Sequence, residues 1–174
     1  MIILYILIAL VIFIVILAAI APKKYDVQRS IIINKKTSDV YQYLKLIRNQ
    51  NYWSVWQKKD PNMKQESTGV DGTVGFVNRW EGNKHVGVGE QEIKGIVENE
   101  RIDSELRFYK PFKSTSDAYL IMREIEPTQT EVIWGFSGKN KIPMNIMMLF
   151  MSMDKMVGKD FEQGLRNLKM ELEK

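Results

Sequence analysis

The run from Ile2 to Ala21 is twenty residues long, uncharged and almost wholly apolar, and it constrains the chain more than any other feature. At 1.5 Å per residue it makes a helix of roughly 30 Å, about the hydrocarbon thickness of a bilayer. Two fates suit such a segment. Ala19, Ile20 and Ala21 imitate the small-x-small pattern before a signal-peptidase site, whereas a signal peptide also needs a basic region ahead of its apolar run. No Lys or Arg precedes this one, and the residue after the supposed cut is Pro22. A retained anchor over residues 1–22 is therefore expected, with the membrane contact made through residues 2–21. Lys23, Lys24, Arg29, Lys35 and Lys36 all follow the run, so the positive-inside rule predicts a single-pass protein whose soluble part is cytoplasmic.

Residues 23–174 are then about right for one domain with a sizeable core. The chain has no Cys and a single His, which excludes a disulfide scaffold, a thiolate metal site and a Cys nucleophile. Neither a metal nor another cofactor is expected. The net charge of +4 is modest, and bases alternate with acids, as at Arg123-Glu124; no basic stripe for nucleic acid stands out.

Tyr25 to Asn34 is β-rich and alternates, predicting a first strand. Thr37 or Ser38 is placed to cap a helix burying Val40, Tyr43, Leu44 and Ile47, and a second short helical turn carries Asn51 to Trp56 before Asp60-Pro61-Asn62 stops it. Turn signals recur from Met63 to Gly138 and divide that stretch into about six strands, the cleanest being Arg101 to Tyr109. Short turns with no intervening helix predict an antiparallel meander. After Pro143 the three- and four-residue spacing of Ile146, Phe150, Met153, Val157, Phe161, Leu165, Leu168 and Leu172 predicts one helix of roughly 28 residues. Its first half, Ile142 to Met156, is apolar nearly all round. Burial under loops, contact with a bilayer and contact with a second copy would each account for that.

The order of these elements, with the segments Tyr52-Trp53-Ser54-Val55-Trp56, Lys59-Asp60-Pro61-Asn62-Met63, Trp80-Glu81-Gly82-Asn83-Lys84, Lys110-Pro111-Phe112 and Met153 to Phe161, resembles the START-like or SRPBCC superfamily. The likeness is to its bacterial polyketide cyclase/dehydrase-like branch, which includes members with an N-terminal membrane helix. The resemblance implies an α+β helix-grip fold, a curved antiparallel sheet of about seven strands wrapped around a long C-terminal helix. It also implies an apolar cavity between sheet and helix, entered near the helix N-terminal end. Members bind lipids, hormones or polyketides, and a few catalyse cyclisation, so the fold supports function only as a class.

By alternation, Phe76, Asn78 and Trp80 share one strand face, Leu106 and Phe108 another, and Trp134 and Phe136 a third. Met147, Phe150, Met151 and Met153 are expected above them, with Trp53 and Trp56 on a short helix beside the cavity. Each of these residues can equally serve as plain core packing. Gln91 is expected to point inward, where a buried amide needs a polar partner and is a candidate for orienting a ligand. Glu90 and Glu92 share a strand face, either as a carboxylate pair with one raised pKa or as a solvated outer face beside Lys94. His85 falls just past a turn and reads as a surface residue.

The expected function is membrane-anchored binding of an apolar small molecule or lipid, with no assigned catalytic residue. One alternative is a cyclase or dehydratase using His85, Glu90 or Glu92. The other is a protein-interaction module like the heat-shock ATPase activators that resemble this fold; a filled-in cavity and a large exposed apolar patch would favour it. Protein partners are not identifiable from the residues.

Overall fold

The computed structural model describes residues 1–174. Helix α1, Ile2–Ile20, projects from the rest of the chain and buries only Ala18. It is long and apolar enough to cross a membrane. Seven strands follow: β1 (Lys24–Ile33), β2 (Lys64–Thr68), β3 (Val77–Glu81), β4 (Val88–Val97), β5 (Arg101–Lys110), β6 (Ser114–Glu126) and β7 (Gln129–Lys139). They form one antiparallel sheet in the order β1-β7-β6-β5-β4-β3-β2. The meander of β2 to β7 is the one the turn signals require, and β1 completes it by pairing with β7 from Lys24↔Lys139 to Ile33↔Thr130. Register shifts between Val88 and Gly89 and between Ile93 and Gly95 interrupt β4, and irregularities of this kind bend a strand and increase its twist.

Between β1 and β2 lie α2 (Thr37–Leu44), a 3₁₀ turn (Ile47–Asn49), α3 (Gln50–Trp53) and α4 (Val55–Lys59). Neither Thr37 nor Ser38 caps α2 as expected. Lys36 holds the N-cap position without a side-chain bond, and the buried Thr37 hydroxyl lies 3.0 Å from the Thr130 hydroxyl of β7. Burial made that cross-link worth more than a cap that water can replace.

The expected 28-residue final helix is corrected. A 3₁₀ segment, Met144–Leu149, comes first, the chain breaks at Met151 and Ser152, and α5 runs from Met153 to Leu172. The break has a tertiary cause. Asn145 is fully buried and donates from Nδ2 to the carbonyl oxygens of Ala18 at 2.8 Å and Ala21 at 3.4 Å. Those bonds tie the segment to the end of α1, away from the axis of α5.

α5 lies on the inner face of the sheet, burying Phe161, Leu165 and Leu168 against Val132, Trp134 and Ile102. Two buried glycines let neighbours come close. A Cβ on Gly164 would lie 2.7 Å from the Trp134 ring, and one on Gly158 would collide with the Arg29 guanidinium. Arg29 reaches across from β1 to Asp154 and Glu162 on α5, both at 2.8 Å, which fixes the helix over the sheet edge.

Candidate functional site

The inner sheet face carries a continuous row of rings. Trp134 of β7 stacks on Phe161 of α5 at 4.2 Å between centroids and 11° between planes. Trp53 and Trp56 meet Trp134 edge-on. From Phe161 the row continues through Phe136 and Phe108 to Trp80, each contact tilted at 75° or more. Such pairs contribute roughly 0.5–1.5 kcal/mol each beyond the area they bury.

Burial along this face is uneven. At the end far from α1, Ile33, Leu44, Ile102, Val132, Leu165 and Leu168 are at most 1% exposed, sealed by α2 and the last turns of α5. Toward α1, on strands β3 to β5, Trp80, Gln91, Leu106 and Phe108 are only half-buried, as are Trp56 and Met153 opposite them. Half-buried apolar side chains therefore gather on β3 to β5 toward α1, although Tyr43, Ile96 and Leu172 at the other end are half-buried too.

Polar groups beside the half-buried side chains of β3 to β5 are sparse. The Gln91 amide faces inward and donates to the Ser104 hydroxyl at 3.2 Å, and buried Asn78 accepts from Ser67 at 3.0 Å. The indole N–H of Trp80 is buried with no acceptor within reach, a donor that costs free energy unless something pairs with it. Its ring lies against Gly89, where a Cβ would come within 2.5 Å of it.

Several expected site residues stand elsewhere. Phe76 precedes β3 but continues its ladder, the Ile93 N–H donating to its carbonyl at 3.0 Å; it keeps the alternation with Asn78 and Trp80, yet is fully buried in a separate small cluster with Ile47 and Ile93. Met147, Phe150 and Met151 do not roof the interior from a helix, because the 3₁₀ segment turns them outward. Phe150 is 83% exposed and the two methionines over 40%. Trp53, Trp56, Asn78, Trp80, Gln91, Leu106, Phe108, Trp134, Phe136 and Met153 do lie on the inner side.

Glu90 and Glu92 point to the outer face. Arg107 binds them at 2.6 and 2.7 Å and also engages Glu105. Burial opposes ionisation of Glu90, but its bonds from Arg107 and Tyr109 outweigh this and hold its pKa below the usual value. Arg107, then Lys94, lowers that of Glu92. Neither is a raised-pKa acid. His85 is exposed, its backbone N–H bound to the Asn83 side chain. A shallow hollow of about 570 Å³ also lies on the outer face, among Asp26, Arg101, Asp103 and Tyr119, where the charged walls pair with one another.

Two contributors had little sequence signal. Asn145 stands out only as a lone amide within an apolar stretch. Asn167, whose amide donates to the Trp53 carbonyl at 2.9 Å, fixes α3 to α5 from among the polar residues of α5.

No family model and no curated protein matches this chain. Solved structures do. A protein from Nitrosospira multiformis superposes with a TM-score of 0.60 at 15% identity, covering 85% of this chain and 96% of its own. The Aha1 dimer from Colwellia psychrerythraea gives 0.58 at 15% identity, covering 86% and 96%. An uncharacterised protein from Bacillus thuringiensis gives 0.60 at 13%, covering 86% and 100%. With the seven-stranded antiparallel sheet and the C-terminal helix, these likenesses fit a helix-grip fold.

Proposed function

We propose that the chain is a single-span membrane protein whose domain, residues 23–174, takes up an apolar small molecule or lipid between the sheet and the N-terminal end of α5. The observation that carries this reading is the group of half-buried apolar side chains, Trp80, Leu106, Phe108 and Met153, on the inner face toward α1. Trp80, Leu106, Phe108 and Met153 would supply apolar walls, with the thioether adapting to shape. The unpaired Trp80 N–H would bind a ligand oxygen. Since α1 is mostly exposed and apolar, we assign it to the bilayer, with the domain on the cytoplasmic side from which Lys23 and Lys24 follow. A mouth near the membrane would let an apolar ligand transfer without exposing its surface to water.

The test is native mass spectrometry with lipid extraction on the full chain purified in detergent, followed by titration with a fluorescent fatty acid. A co-purifying apolar molecule at one per chain, displaced by the probe and lost in Leu106→Trp at unchanged melting temperature, is expected. An empty wild-type chain that also fails to bind the probe would overturn the reading.

A protein-interaction module is the second reading. The tight Trp134–Phe161 stack, which fills the middle of the interior, and the exposed apolar side chains of the 147–151 stretch favour it. The cyclase alternative loses its carboxylates, because Glu90 and Glu92 face away from the aromatic row.

A further inference from the structure

We infer that the end of the domain from which α1 departs is a docking surface for anionic phospholipid, so that the domain lies on the bilayer at a second contact besides the span. The inference rests on the assignment of α1 to the membrane. Three separate pieces of chain converge at this end. The start of β1 pairs Lys24 with Lys139, and Asn140 binds the carbonyls of Lys23 and Pro22. The hairpin joining β5 to β6 turns here, since Ser116 pairs with Gly138, and its tip carries Phe112 at 73% exposure. The third piece, Ile142 to Met151, is pinned to α1 by Asn145 and exposes Ile142, Leu149 and Phe150.

Around these apolar side chains stand Lys23, Lys24, Lys110, Lys113, Lys139 and Lys141, all exposed. Among the described residues none of the six forms an ion pair, although most arginines of the chain do. The opposite end is mixed, with the exposed Glu98, Glu100, Glu124, Glu126 and Glu173 interspersed with Lys36, Arg123 and Lys174. The side of the span is therefore set apart by a rim of unpaired lysines around protruding apolar tips, whereas the far side mixes acids and bases. Protruding apolar side chains ringed by unpaired lysines match the layering of an anionic leaflet, acyl boundary inside and phosphates outside. A protein partner would have to fit beside a lipid-embedded helix; the leaflet is already continuous with it.

The chain lacks cysteine, so each introduced one is a unique labelling point. Full-length Phe112→Cys, Leu149→Cys, Val97→Cys and Val11→Cys would carry an environment-sensitive fluorophore in nanodiscs of phosphatidylcholine with or without phosphatidylglycerol and with nitroxide lipids as quenchers. Val97 lies at the end far from α1 and Val11 within α1. Quenching at 112 and 149 is expected to exceed that at 97 by about twofold or more in anionic discs, as for side chains about 5–10 Å into the headgroup boundary. It should fall with added salt and in Lys110→Glu/Lys113→Glu, while 11 stays quenched. Labels at 112 and 149 as aqueous as 97, with 11 quenched, would overturn the docking and leave the anchor standing. An aqueous 11 would overturn the anchor and this inference together, and equal quenching without phosphatidylglycerol would overturn the choice of anionic lipid.

Discussion

Asn145 shows how one side chain fixes a junction. Its amide occupies two carbonyl oxygens at the end of α1, where helical carbonyls otherwise lack partners. Asn145→Leu keeps the volume and removes the donor, and is expected to cost about 1–3 kcal/mol. Asn145→Asp should cost more, because it sets a carboxylate against two carbonyl oxygens. Chemical denaturation of the full chain in detergent checks the order of the two. Gly164 is a second such position. Gly164→Ala would push a methyl into the Trp134 ring, with an expected loss of about 1–3 kcal/mol and a weakened near-ultraviolet signal from the Trp134–Phe161 stack. The alternation of β7 makes the inward aim of Trp134 legible in its sequence, but a glycine thirty residues away offers no hint that it clears space for this ring.

Among the elements, β4 and β5 are joined on their outer face by Arg107 with Glu90, Glu92 and Glu105. The pKa values of Glu90 and Glu92 lie below the ordinary 4.5 in the folded state. A carboxylate whose pKa is depressed by folding stabilises the native state above its unfolded pKa, and that contribution is lost as pH falls through the folded value. Melting temperature should therefore hold steady above about pH 5 and decline below the ordinary glutamate range. Glu92→Gln should flatten the decline, and an unchanged slope would contradict the pairing. The period-two pattern of both strands was readable, and so was the outward direction of the two glutamates. Their pairing with Arg107 depended on register, which the sequence pattern does not set for polar faces. The final helix was misjudged for a related reason. Residues 142 to 152 keep a helical apolar spacing, yet their contact with α1 outweighs local preference and leaves a 3₁₀ turn and a break.

For the whole molecule, the apolar helix α1, the exposed Lys23, Lys24, Lys139 and Lys141 and the half-buried side chains of β3 to β5 lie at one end, and loops of mixed charge at the other. If the interior exchanges ligand with the leaflet, Lys110→Glu/Lys113→Glu should slow uptake of a vesicle-borne fluorescent fatty acid by the full chain and leave its equilibrium affinity in detergent unchanged. Stopped-flow transfer assays measure the first and titration the second. Local rules of period, turn chemistry and apolar length sufficed for the apolar helix α1, the strands, the meander and the amphipathic half of α5, because each depends on near neighbours in the chain. The half-buried group on β3 to β5, the outward turn of Met147, Phe150 and Met151, and the gathering of three distant lysine-bearing segments around α1 were decided by tertiary contacts alone. They arise from contacts between residues about a hundred positions apart, whose free energy no local pattern encodes.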